Sequence, residues 1–233
     1  MMDILQREVF NPLSSAMATP LEAPPLWLYA LLLLAVVIAT SVHEFGHAWM
    51  ADRLGDPGPR EAGRITLNPF KHFDALGFLL LVVTMLIGFP IGWGKPVKTD
   101  PTKYRGGANR GIALVAAAGP AMNLLTAMVL APIARFIIAG GLGYSEFAQM
   151  AIITIAIVMI INLSLFCFNL VPIHPLDGSH IMASLLPEEL AKPYRLFMQK
   201  FGVFLLLGLM YSGKLGEFIA PIILNLFRWL IGQ

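Results

Sequence analysis

The sequence predicts an all-α polytopic membrane protein, on three observations. Of its 233 residues, 57% are hydrophobic and 13% charged, with a mean hydropathy of +0.73. Soluble domains carry about 25% charged residues, so most of this surface has to face lipid. Runs without any charge recur along the chain, several near the ~20 residues that cross ~30 Å of hydrocarbon. The first of these runs ends directly in His43 and Glu44, ionisable groups at a depth where they are costly unless they serve a site.

The polarity of the chain excludes some function classes. Sixteen Lys and Arg against fourteen Asp and Glu leave a net charge of +2, too small a basic footprint for nucleic acid. A lone cysteine, Cys167, cannot form an internal disulfide, and it sits in an apolar run as a small hydrophobe.

Taken in order, residues 1–24 hold acids and Arg7 as their single basic residue. That is unlike the basic start of a signal peptide, and they read as a polar N-terminal tail. Residues 25–233 read as one membrane-embedded domain, with no internal repeat or long linker. The uncharged stretches 26–42, 75–92, 111–134 and 147–176 are the main hydrophobic segments. Segments 201–213 and 215–231 are shorter, and Lys200 and Lys214 would have to snorkel to the interface. The run Arg64-Ile65-Thr66-Leu67, set among turn residues, reads as a short strand. The expectation is about five transmembrane helices plus a re-entrant segment and a small β-containing loop.

The chemistry concentrates where the first segment ends. His43-Glu44-Phe45-Gly46-His47 has the form H-E-x-x-H, which on a helix sets two imidazoles one turn apart on one face and a carboxylate beside them. Such a pair can hold tetrahedral Zn²⁺, and a catalytic site needs a third protein ligand. Asp177 is the best placed, since it closes the uncharged run 147–176 behind Pro172 and Pro175, which cannot continue a helix. Taken alone, Asp177 reads better as the cap of a helix starting near Ser179, and only the paired histidines make the ligand reading prevail.

If 43–47 and Asp177 share one ion, the first helix and the 147–176 helix must run in the same direction. One of the two segments between them therefore should not cross. Segment 75–92 is the better choice, because Gly77, Gly88 and Pro90 interrupt it and basic loops flank it. Arg53, Arg60, Arg64 and Lys71 lie before it, and Lys95, Lys98, Lys103, Arg105 and Arg110 after it. Positive charge marks cytoplasmic loops, so both loops, and the metal site with them, are expected on the cytoplasmic side of a multi-pass cell membrane.

Four ordered motifs resemble the site-2 protease family of intramembrane zinc metalloproteases. They are His43-Glu44-x-x-His47, Gly119-Pro120-x-x-Asn123, Asn169-x-x-Pro172 and Leu176-Asp177-Gly178. The runs Leu67-Asn68-Pro69 and Gly92-Trp93-Gly94-Lys95-Pro96-Val97 further resemble its compact prokaryotic subgroup, which implies a prokaryotic plasma membrane. The resemblance implies that His43, His47 and Asp177 bind Zn²⁺ and that Glu44 activates water. It implies that Asn123 and Asn169 lie near the substrate backbone or the oxyanion, and that the polar loop or segment 75–92 offers an edge to an extended substrate. His174 stands where many relatives have an apolar residue or proline, and His180 where a basic residue is common. The function expected is hydrolysis of peptide bonds within or next to transmembrane segments, with membrane proteins as substrates and the bilayer as surroundings. The alternative is a zinc-binding membrane transporter or an inactive scaffold. The sequence sets no oligomeric state.

Overall fold

A computed structural model describes residues 25–86, 92–143 and 145–233. The expected tail 1–24, and Gly88 and Pro90, lie outside the described residues.

Helix α1 (Leu26–Leu54) follows the extended Pro25 and ends at Gly55, whose φ of +110° suits glycine and whose N–H returns to the carbonyls of Ala51 and Asp52. Two single turns follow, α2 (Gly58–Glu61) and α3 (Pro69–His72), each with proline in the first turn, where its missing N–H costs nothing. Helix α4 (Ala75–Leu86) is 12 residues long, roughly 18 Å at 1.5 Å per residue and far short of the ~30 Å core. From Gly92 the chain packs back along α4: a Cβ on Gly92 would meet the backbone of Gly77 at 2.9 Å, and one on Gly77 the indole of Trp93 at 2.9 Å. The return path then reaches the start of α4's own loop, where Lys95 N–H donates to His72 O (2.8 Å).

Helices α5 (Ala108–Ile138) and α6 (Glu146–Asn169) complete the core with α1. Leu28 and Ala35 of α1, Ala127 and Ala131 of α5, and Ile152, Ile157 and Leu163 of α6 bury one another, joined by Phe227 of the last helix. Small residues at the crossings matter because lipid supplies no hydrophobic drive between helices, so close van der Waals approach must hold them. A Cβ on Gly46 would stand 2.9 Å from Met122 Cγ. Helix α1 meets α5 antiparallel, with Ala39 level with Asn123 and His47 level with Val115. Helix α6 returns through the short 139–145 link and thus runs parallel to α1.

Helix α7 (Asp177–Leu185) is short, and α8 (Glu188–Tyr211) and α9 (Lys214–Ile231) form a pair bent by 74°. The far end of α9 is tied down by Arg135 of α5, which donates to Leu230 O (2.7 Å) and Trp229 O (3.2 Å).

Two expectations are corrected. Among the described residues, three helices, α1, α5 and α6, are long and apolar enough to cross a membrane, or up to four if the bent pair α8–α9 counts as one span, against the five expected. Segments 201–213 and 215–231 are not separate spans, because α8 begins in the charged stretch at Glu188 and kinks against α9 at Ser212 and Gly213. Among the described residues there is no strand, against the β-containing loop expected at Arg64-Ile65-Thr66-Leu67. Local groups satisfy that backbone instead of a ladder: Arg64 N–H donates to Pro59 O, and the His72 ring meets Thr66 O at 2.7 Å. The polar loop is held by Asp56, 1% exposed, whose carboxylate accepts from Gly58 N–H (3.0 Å) and Asp100 N–H (2.7 Å). On Asp100, the Thr102 hydroxyl and then the Thr102 N–H hold the carboxyl below the usual range.

Candidate metal centre

Helix α1 carries His43 and His47 on one face, so their rings meet edge to face with centroids 4.6 Å apart. Asp177 arrives from the other side. Helix α6 ends at Asn169, the prolines at 172 and 175 keep the chain in turns, and α7 starts at Asp177 itself. The N-cap of α7 is Leu176, with no side-chain capping bond. Asp177 is therefore free of the capping duty that its position allowed. Gly178 lets this corner close, since a Cβ there would collide with the carbonyls of Leu170 and Val171.

The three side chains converge. His43 Nε2 lies 3.0 Å from His47 Nε2, and Asp177 Oδ2 lies 3.1 Å and 3.4 Å from them. Ligand atoms about 2 Å from a tetrahedral ion stand about 3.3 Å from one another. The observed edges match a single ion.

Proton positions strengthen this fit. His43 Nδ1 faces Asn123 Oδ1 (2.7 Å) and His47 Nδ1 faces Val115 O (2.7 Å). Both partners are acceptors, so each Nδ1 carries the proton and each Nε2 presents a lone pair. With the carboxylate, three electron pairs point at one place, and Asp177 Oδ2 is buried without a hydrogen-bond donor. Such an arrangement is repulsive without a cation, and its nitrogen and oxygen donors suit zinc. These three residues are a group able to hold a metal ion.

Glu44 is on the adjacent face of α1. Its Oε2 accepts the Val97 N–H (3.1 Å) and lies 3.9 Å from Arg64 Nη2. Arg64, 8% exposed, also donates to Lys95 O. Glu44 and the extended path 92–98 thus hold each other in place. Asn123 is fully buried behind His43, and both of its amide hydrogens donate inside the protein, to Ala39 O and Asn162 Oδ1 (2.9 Å each). Asn169 donates to Leu165 O (3.0 Å) at the end of α6 and does not join the converging cluster. The His174 and His180 rings pair with each other, centroids 6.3 Å apart.

The profile of Peptidase family M50 matches residues 137–210, the stretch that holds Asn169 and Asp177. A protein of Bacillus subtilis (strain 168), named "Putative zinc metalloprotease YwhC", is 34% identical over 210 residues, 88% of this chain and 90% of that one. The chain belongs to peptidase family M50. Two further relatives are the proteins named "Putative zinc metalloprotease Rip2" of Mycolicibacterium smegmatis (strain ATCC 700084 / mc(2)155) and Mycobacterium tuberculosis (strain ATCC 25618 / H37Rv), each 31% identical. The first match covers 64% of this chain and 55% of the relative, and the second 61% and 52%. No solved structure matches.

The M50 motifs did not announce everything at this centre. Arg64 had read as part of a strand, and its guanidinium instead joins Glu44 to the return path. Asn162 was invisible as a site residue, although a fully buried amide in an apolar helix is itself a signal. Val115 contributes only a backbone carbonyl, which no residue pattern marks.

Gly119 is the backbone clearance for both rings: a Cβ there would stand 2.8 Å from His43 Cε1 and still nearer His47 Nε2. Gly119→Ala is expected to weaken zinc binding about 10- to 100-fold, as displaced metal ligands do, measured by competition with a chelator. Gly216→Ala, where nothing lies within 4 Å, is expected to bind as the parent does. Equal zinc affinity in both variants would contradict the clearance role.

Proposed function

We propose that this chain hydrolyses peptide bonds of membrane-protein substrates at the His43–His47–Asp177 centre, with Glu44 as general base. The observation that supports this most is the convergence of two Nδ1-protonated imidazoles and an unpaired carboxylate oxygen on one point. Membership of family M50, together with relatives named as zinc metalloproteases, makes the chain a zinc metalloprotease. Its long apolar helices make it a membrane protein.

His43, His47 and Asp177 would hold the zinc. When bound, zinc supplies Lewis acidity, polarising the scissile carbonyl and bringing the acidity of water into the neutral range. Glu44 takes the proton from the attacking water and passes it to the leaving amine. Its carboxylate is kept in place by the Val97 N–H and faces the Arg64 charge. Val115 O and Asn123 Oδ1 hold the two imidazole N–H groups, so the rings cannot turn away or exchange tautomers. Substrate contact belongs to Asn169 rather than Asn123, whose amide hydrogens are already engaged within the protein. A helical substrate hides its own peptide bonds, so it must be extended at the site. The path 92–98, which has backbone groups but no ladder partner, is the natural edge for it to add to.

The basic residues of the two polar loops, from Arg53 to Lys71 and from Lys95 to Arg110, gather at the Asp177 end of the helices. By the positive-inside rule this end faces the cytoplasm. This distribution of charge supports a site toward the cytoplasmic leaflet of the cell membrane.

Glu44→Gln is expected to lower cleavage of a membrane-spanning reporter by at least about 100-fold, the usual contribution of a general base, while zinc content stays at the parent level. Equal cleavage by the two proteins would remove Glu44 from the mechanism. For orientation, single cysteines at Lys71 and Lys98, in a Cys167→Ala background, should both react with an impermeant thiol reagent offered from the cytoplasmic side. Labelling of either from the outer face would reverse the assignment.

A further inference from the structure

Helix α6 supplies no metal ligand, yet it buries one amide completely among Ile157, Met159 and Leu163. This is Asn162, 0% exposed. Burying an amide in an apolar helix bundle is unfavourable unless each polar atom finds a partner. Asn162 finds two. Its Nδ2 donates to Val158 O of its own helix (2.8 Å), and its Oδ1 accepts from Asn123 Nδ2 of α5 (2.9 Å).

The donors run in one direction from there. Asn123 Nδ2 also donates to Ala39 O of α1 (2.9 Å), which leaves Asn123 Oδ1 facing His43 Nδ1 at 2.7 Å. Val158 O and Ala39 O are backbone carbonyls that only accept, so the orientation of both amides is determined at each end. Turning Asn162 over would set two N–H groups against each other at Asn123 and two oxygens at Val158. Turning Asn123 over would oppose its oxygen to Ala39 O and to Asn162 Oδ1, and would present an N–H to His43.

We propose that Asn162 is a positioning residue of the metal centre. By accepting the second N–H of Asn123, it locks that amide with its oxygen toward His43, keeps His43 in the Nδ1–H form and reserves the Nε2 lone pair for zinc. The relay joins α6, α5 and α1, the three long apolar helices, through hydrogen bonds that end on a ligand. The inference rests on the assignment of His43, His47 and Asp177 as zinc ligands. A packing role alone differs in a measurable way, because leucine keeps the branched skeleton of asparagine with methyls in place of the amide and would then leave zinc binding intact.

The test uses the full chain in nanodiscs, with zinc affinity read by chelator competition and folding by thermal denaturation. Asn162→Leu is expected to raise the zinc Kd about 10-fold or more, in the range for lost partners of ligating histidines. Asn162→Asp, whose protonated carboxyl can both donate to Val158 O and accept from Asn123, is expected to restore parental affinity. A second readout needs no variant: ¹⁵N spectra of the metal-free parent should show His43 as the Nδ1–H tautomer. Parental zinc affinity in folded Asn162→Leu, or an Nε2–H tautomer at His43 in the parent, would overturn the relay. If Asn162→Leu does not fold, the tautomer of the parent decides. His43→Ala keeps the two claims apart. Zinc affinity lost in His43→Ala but normal in Asn162→Leu overturns the relay alone, whereas unchanged zinc binding in His43→Ala overturns the ligand assignment and the relay with it.

Discussion

Three lone pairs aimed at one point govern the rest of this molecule. His43 Nε2, His47 Nε2 and Asp177 Oδ2 stand within 3.4 Å of one another, while the Nδ1 of each ring is engaged by Asn123 Oδ1 or Val115 O. Largely buried among apolar helices, the three atoms have little water to dissipate their mutual repulsion. A divalent cation turns the conflict into coordination, and family membership names it as zinc. The surrounding chain is arranged so that the three atoms cannot escape: Val115 O and Asn123 Oδ1 hold the rings from behind, and Gly178 lets the Asp177 corner close on the end of α6.

That constraint explains where side chains are missing. Gly46 and Gly119 lie where α1 crosses α5, and each would push a Cβ into the other helix or into the imidazoles. The close crossing brings the rings within reach of Val115 and Asn123. The same economy shows in the polar loop, where the Val97 N–H and the Arg64 guanidinium converge on Glu44. Glu44 and the extended path beside it therefore form one unit, so an extended substrate added along 92–98, as proposed, would be registered against Glu44.

The cluster of His43, His47 and Asp177, a group able to hold a metal ion, was legible in the sequence because its parts follow strong rules. Two histidines one turn apart fix a face, and an aspartate behind two prolines ends a long uncharged run. The same direction of α1 and α6 was expected from the premise that 43–47 and Asp177 share one ion. The span count was less legible, because charge gaps measure hydrophobicity and not direction: 201–213 and 215–231 each read as a short crossing with snorkelling lysines, but the bend at Ser212 and Gly213 and the charged start of α8 are tertiary features. The strand at Arg64-Ile65-Thr66-Leu67 failed for a related reason. Its β-branched residues suit a strand, but β-propensity expresses itself only against a partner, and here Pro59 O and the His72 ring take the available groups. Asn123 was found by motif, but its engagement with His43 needed coordinates, since a motif does not say which way an amide points.

The most direct measurement is the metal content and ligand set of the purified chain, by elemental analysis and zinc X-ray absorption. One zinc per chain is expected, with nitrogen and oxygen neighbours at about 2.0–2.2 Å, the outer-shell signature of two imidazoles, and loss of the metal in Asp177→Ala and in His47→Ala. Full zinc occupancy retained in a His43→Ala/His47→Ala double variant, or a sulfur neighbour from Cys167, would contradict it.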